Sequence, residues 1–277
     1  MRWRRLTRNR LSFAALCAIL VVTAAALLAP WVAPFDPDEP DAEATLVSVS
    51  PRHVLGTDLY GRDQLSRLIH AGRVDLLVAL SATAIALTLG SVLGAVAGYR
   101  GGWVDQVLMR GVDAVMAFPA FILAMAITAA LGNSTANVVA AIAITHVPIY
   151  TRLIRGEMLK VREMEYAEAA RTVGNRPRQI VLVHLFPNCV PPLIVQATLA
   201  MGFAILTVAA LSFIGLGIQP PQSEWGQMTA EGAGYVVSGE WWLVLFPGLA
   251  IMLTVLAFNL VGDTLRDVLD PRMRGIR

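Results

Sequence analysis

Charge is missing from five long stretches of this chain, and that constrains the fold more than any motif does. Leu11 to Ala33 is uncharged, as are Leu76 to Tyr99, Ala114 to Thr151, Cys189 to Ile218 and Trp241 to Gly262. A helix crosses the roughly 30 Å hydrocarbon core of a membrane with about 20 apolar residues. Inside that core every backbone N–H and C=O must bond within the protein, which favours helices for runs of this length. The Ala114–Thr151 run is too long for one span and suits two. The turn-prone residues Gly132 to Asn137 divide it. The expectation is an all-α polytopic membrane protein of six spans, at 11–33, 76–99, 114–131, 137–155, 189–217 and 241–262. Composition agrees: 56% of residues are hydrophobic and 15% charged, against about 25% charged in soluble domains. That excludes a soluble enzyme, a disordered chain and a fibrous one.

The first run follows Arg2, Arg4, Arg5, Arg8 and Arg10, as a secretory signal would. It is longer than a signal core, and Pro30 and Pro34 interrupt the region where cleavage would fall. It reads as a retained helix. Basic residues in the connections set orientation. With residues 1–10 cytoplasmic, 18 of the 22 Lys and Arg fall inside, and the other four (Arg52, Arg62, Arg67 and Arg73) fall in the first outer loop. Both termini are therefore expected in the cytoplasm, the second as a tail at 263–277. Residues 34–75 and 218–240 would be external loops, and residues 156–188 the largest cytoplasmic segment.

Span 2 carries a small residue at every fourth position: Ala82, Ala86, Gly90, Gly94 and Gly98. On a helix these share one face and let another backbone approach closely. Before that span, Gly56 to Asp63 leads into Leu65, Leu68 and Ile69, whose spacing predicts a short interfacial helix. Its Arg and Asp residues could form surface pairs or shape a docking face for an external partner. The acidic stretch Asp36 to Asp41 lacks the spacing and the turn glycine of a calcium loop and reads as a solvated loop. Cys17 and Cys189 are too few for a disulfide framework and read as small buried hydrophobes.

The cytoplasmic segment predicts a helix–turn–helix against the inner membrane face. Ala169 and Ala170 favour helix and leave a shallow surface for a partner. Gly174 can end that helix in the left-handed conformation. Asn175 can cap the next, with Pro177 in its first turn. A mere connector rarely needs more than 30 residues with two helices of its own, so a docking element is the expectation.

At these residues the sequence resembles the inner-membrane permease subunits of type I ABC importers. The resemblance rests on Glu168, Ala169, Ala170 and Gly174, with Pro187 closing the motif in register. His184 and Phe186 depart from the usual ending, and the His184-x-x-Pro187-Asn188 form is similar to the peptide and nickel branch. Further blocks resemble that branch: Leu55 to Asp58, Gly61 to Asp63, Gly98 to Asp105, Ala117 to Pro119, Leu211 to Gly217, Gln219 to Pro221, Glu224 to Gly226, and Ala257 to Asp263 followed by Leu265 to Asp267 and Leu269 to Pro271. The match runs from about residue 52 to the end and resembles the second, shorter permease of the dipeptide, oligopeptide and nickel group.

The resemblance implies the type I permease fold in a bacterial inner membrane. It also implies a coupling helix at Glu168, Ala169, Ala170, Gly174 and Pro187 that docks on a cytoplasmic ATPase. The implied partners are a second related permease, one or two ATPase subunits, an external solute-binding protein and membrane lipid, with no nucleic acid. No cofactor is expected on this chain; ATP acts through the partner. The residues agree, because a phosphate loop needs Gly-Lys followed by Ser or Thr, and the single lysine, Lys160, lies between Leu159 and Val161.

Two other classes fit the sequence less well. An intramembrane enzyme would need a zinc-binding His pair, paired carboxylates or a Ser/His dyad at membrane depth, and no such pattern is visible. His146 is a functional candidate by its position in a span, or it bonds a backbone carbonyl freed by Pro148. A receptor or scaffold fits poorly with six spans and no sizeable soluble domain. For the solute, short peptides are expected, with nickel or another small solute the alternative. His53, His70, His146 and His184 form no obvious ligand pair.

Overall fold

The computed structural model describes residues 10–269. The basic residues before Arg10, and the tail from residue 270 with its basic residues, lie outside the described residues. Helix α1 spans Arg10–Leu27 and ends ahead of a short turn at Ala29–Val32 that contains Pro30. Helix α2 spans Gln64–Arg100, α3 Gly102–Met116, α4 Ala120–Leu131 and α5 Thr135–Val161. Helix α6 spans Glu165–Thr172, α7 Phe186–Phe213, α8 Trp225–Ala233 and α9 Trp242–Leu269. Among the described residues, five helices are long and apolar enough to cross a membrane, and α3 with α4 make a sixth as a bent pair.

Three features differ from the sequence reading. Helix α2 runs unbroken for 37 residues, so the interfacial helix expected before span 2 is its own first turns. Asp63 starts it, with its carboxylate accepting from the Ser66 N–H, and Gly101 ends it at φ +65°. The third span is not one straight helix over 114–131. Helix α3 ends at Met116, and α4 starts at Ala120 after a bend of 85°. Pro119 explains the break, since it has no N–H to donate and pushes Phe118 out of the α region. Finally, the 218–240 loop contains α8. Its cap is Glu224, whose two oxygens accept from the Gly226 and Gln227 N–H groups.

Helix α2 is the axis of the bundle and packs along α5, with α7 and α1 beside it. The α2–α5 seam is where the small residues sit. Ala82 and Ala86 are fully buried. A Cβ on Gly90 would lie 2.5 Å from the Tyr150 Cβ, one on Gly94 2.5 Å from the Thr151 carbonyl, and one on Gly98 2.7 Å from the Met158 Cβ. No side chain fits at these three positions without driving the helices apart.

At the other end of α2 the charges expected on a surface are buried. Asp58, Arg62 and Arg67 are 3%, 7% and 1% exposed. Arg67 bridges Asp58 at 2.6 Å and Glu231 of α8 at 3.0 Å. Arg62 reaches Asp58 at 2.7 Å. These residues are therefore neither surface pairs nor a docking face; they clamp the segment before α2 onto α8. Deeper in, Asp75 Oδ2 accepts from the Trp225 N–H at 3.1 Å. The Asp75 and Glu224 carboxyls are both fully buried and face each other. Burial pushes the Glu224 carboxyl above its ordinary range.

Two outcomes are expected. Gly94→Leu should destabilise the fold by about 1–3 kcal/mol through overpacking, while Gly111→Ala, where nothing lies within 4 Å, should leave thermal stability in detergent unchanged or slightly raised. A carboxyl whose folded pKa is raised stabilises most below its unfolded value, and that contribution is lost as pH rises through the folded value. The melting temperature should therefore fall on the alkaline side, and fall less in Asp75→Asn, which removes the facing charge and keeps an acceptor for Trp225.

Candidate coupling loop

The segment from the end of α5 to the start of α7 is held at both its root and its turn. Arg155 of α5 grips Asp105 of α3 with two hydrogen bonds, at 2.5 and 2.6 Å. Such forked pairs fix geometry as well as charge. Just past the end of α5, Arg162 donates to the Gly98 carbonyl at 2.9 Å. That carbonyl lies in the last turn of α2, where the helix dipole favours a cation. The loop is thus tied to the same glycine stripe that seats α5.

Helix α6 is eight residues long. Glu165 and Glu168 lie in its first turn and Arg171 in its last, the favourable arrangement for its dipole. Its inner face is Ala167 and Ala170, buried at 0% and 6% exposure against the main core with Ile180 and Leu185. Its outer face carries Glu168, Ala169 and Arg171, all exposed. The two alanines read as one shallow surface therefore part company: Ala169 faces outward, and Ala170 seats the helix.

The turn after α6 is a Schellman motif. The Gly174 N–H donates to the Arg171 carbonyl at 2.9 Å, and the Asn175 N–H to the Ala170 carbonyl at 3.2 Å. Gly174 has φ +86°, and nothing would meet a Cβ there, so the position is restricted by conformation and not by space. The cap of the next helical stretch is Arg176, with no side-chain bond, and not Asn175. Asn175 is committed to ending α6, and Pro177 sets the register one residue later.

From Ile180 to Leu185 the chain widens into a π-helix that runs into α7. Pro187 has no N–H for the usual bond four residues back, and the Phe186 N–H reaches the Val181 carbonyl instead. Pro187 is exposed in the first turn of α7. Glu168, Ala169, Gly174 and Pro187 are all solvent-accessible, while Ala170 faces the core.

The sequence shows an imperfect apolar face of Met158, Val161, Met164 and Tyr166, and the structure splits it: Met158 and Val161 are buried, while Met164 and Tyr166 are 50% and 41% exposed. Sequence reasoning missed Val173, just past α6, at 82% exposure. His146 is buried at 8% exposure and makes no hydrogen bond among the described residues, its Nδ1 being without a partner. The expected bond to a carbonyl freed by Pro148 is therefore not formed. Cys189 is buried and Cys17 half-buried, both as free thiols.

The family model for the binding-protein-dependent transport system inner membrane component matches residues 90–275, a range that includes the whole loop just described. The chain belongs to this family. A second family model, the N-terminal transmembrane domain of oligopeptide transport permease C, matches residues 1–51. The chain is 44% identical over 98% of its length to the di/tripeptide transport system permease protein DppC of Pseudomonas aeruginosa, covering 91% of that protein. It is 45% identical over 90% of its length to a probable D,D-dipeptide transport system permease protein of Escherichia coli K12, covering 83% of it. A glutathione transport system permease protein of Pectobacterium atrosepticum is 40% identical, over 98% of this chain and 90% of that one. The permease is a multi-pass inner-membrane component of an ABC transport system and not an enzyme.

Because the Gly174 position is limited by φ alone, its replacement is a clean probe of the turn. Gly174→Val should cost about 1–2 kcal/mol at the end of α6 with no clash elsewhere. Hydrogen exchange should quicken at residues 165–175 and stay unchanged along α2.

Proposed function

We propose that the permease forms half of the translocation pathway of a peptide importer, paired with a second, related permease. On this reading both termini are cytoplasmic, and α6 is the coupling helix that docks on a separate ATPase through Glu168 and Ala169. Closure of an ATP-bound ATPase dimer would push on α6, and the bundle would move between inward- and outward-facing states. A solute-binding protein would deliver short peptides at the outer mouth.

The observation that carries the reading is the mounting of α6. Its inner alanines are buried, Arg171 in its last turn bonds the Arg162 carbonyl just past α5, and Glu168 and Ala169 stay exposed. A short helix braced that way transmits a push from outside instead of folding under it. The relatives named for di- and tripeptide, D,D-dipeptide and glutathione transport support small peptides as the solute. The bias of basic residues supports the orientation.

The test is a pull-down of tagged protein from its native membrane in mild detergent, with mass spectrometry of what is retained. A second permease and at least one ATPase are expected. Their absence, under conditions that keep other membrane complexes intact, would count against transport. Peptide uptake in vesicles then tests the coupling residue. Glu168→Lys reverses charge on the free face of α6 and should lower uptake at least about tenfold, as charge reversal does at a docked interface. The protein should still be present at normal levels. Wild-type uptake by that variant would remove Glu168 from the coupling surface.

A further inference from the structure

A groove of about 580 Å³ runs between the last turns of α2 and the part of the loop that leads into α7. Its size falls in the range of about 300–1,000 Å³ typical of ligand clefts. The walls are apolar: Val92, Val96 and Tyr99 on one side, Val181, Leu182 and Phe186 on the other. No acidic residue lines it. Two arginines do, Arg100 in the last turn of α2 and Arg178 opposite.

Of the cations nearby, Arg152, Arg155, Lys160 and Arg162 each hold an acidic partner. Arg171 bonds the Arg162 carbonyl, and neither Arg110 nor Arg176, though also exposed, lines the groove. Arg100 and Arg178 are exposed and have no hydrogen bond or ion pair among the described residues. The groove is therefore an apolar slot with unpaired positive charge in its lining. Arg100 closes the uncharged run that begins at Leu76, so its guanidinium belongs where hydrocarbon gives way to headgroups. The lining fits one class of molecule: a long apolar chain ending in an anion. A peptide, with a cationic end as well as an anionic one, would find no acidic partner here.

We propose that this groove binds an anionic phospholipid, with acyl chain against Val92, Val96 and Leu182 and phosphate between Arg100 and Arg178. The lipid would then brace the π-helical entry to α7 against α2, next to the coupling loop. The inference rests on the permease reading only in placing this end at the cytoplasmic leaflet, where a surface potential from anionic lipids acts and basic pockets between helices collect their headgroups.

The test uses the complex isolated with its partner chains in mild detergent. Native mass spectrometry reads binding of phosphatidylglycerol against phosphatidylcholine of the same acyl chains. Wild type should prefer phosphatidylglycerol. Arg100→Gln with Arg178→Gln should weaken that binding about 25-fold, roughly fivefold per arginine, and leave phosphatidylcholine unchanged. Val92→Trp, which fills the slot and leaves both arginines, should reduce binding of both lipids. Equal binding of the two lipids by wild type, or full phosphatidylglycerol binding by the double variant, would overturn the proposal. So would a photo-crosslinker at Leu182 that captures the second permease instead of lipid. Loss of the ATPase from a complex that still prefers phosphatidylglycerol would strike the transport reading and leave the lipid site standing.

Discussion

The close approach of α2 and α5 is the contact on which the rest of the bundle depends. Lipid tails are as apolar as leucine, so helices in a membrane gain little from burying apolar surface against each other. What remains is dispersion between well-matched surfaces and hydrogen bonds between backbones and side chains. The stripe from Ala82 to Gly98 supplies the first by removing side chains from the seam. It also permits the second: with no side chain on Gly98, its carbonyl is open to Arg162. The same seam holds Arg155 of α5 where it can grip Asp105 of α3. Loss of the stripe would therefore loosen the root of the α6 loop as well as the core.

The two ends of the bundle are secured by different chemistry. Near the loop, the ties are partly exposed and lie between neighbouring helices. At the far end they are largely buried and join residues 150 or more positions apart, as in Arg67 with Glu231 and Asp75 with Trp225. A buried charge left without its partner is costly, so that end resists partial opening more than the loop end does. On the proposed reading, the end that receives a push is the one with the more adaptable ties.

What the sequence made legible was periodic or local. The apolar runs marked the long helices, the every-fourth-residue stripe marked a packing face, and Gly174 marked the end of α6. What stayed hidden depended on partners far along the chain. Arg67, Arg73 and Asp75 look like a boundary in any local window, so α2 was divided there. In the fold Arg67 pairs with Asp58 and with Glu231 of α8, Asp75 accepts from the first N–H of α8, and the helix continues through them. Helix α8 itself was folded into a loop because nine residues after an acidic cap carry little periodic signal. At the candidate site the sequence named residues without their directions. Ala169 and Ala170 differ by one step of about 100° around the helix, and only the packing of α6 on Ile180 and Leu185 decides which of them faces the core.

Helix α2 has no proline and no break across its 37 residues, which makes it about 56 Å long. It is anchored near its start by the Asp58–Arg67–Glu231 clamp and near its end through Gly98 and Arg162. A stiff rod fixed in this way behaves as a see-saw. A tilt of about 5° around its middle would carry the two ends about 2.4 Å in opposite directions, taking half the length from the rise per residue. Whatever relaxes the grip at one end therefore changes the load at the other, with no chain of intermediate side chains needed to carry the message.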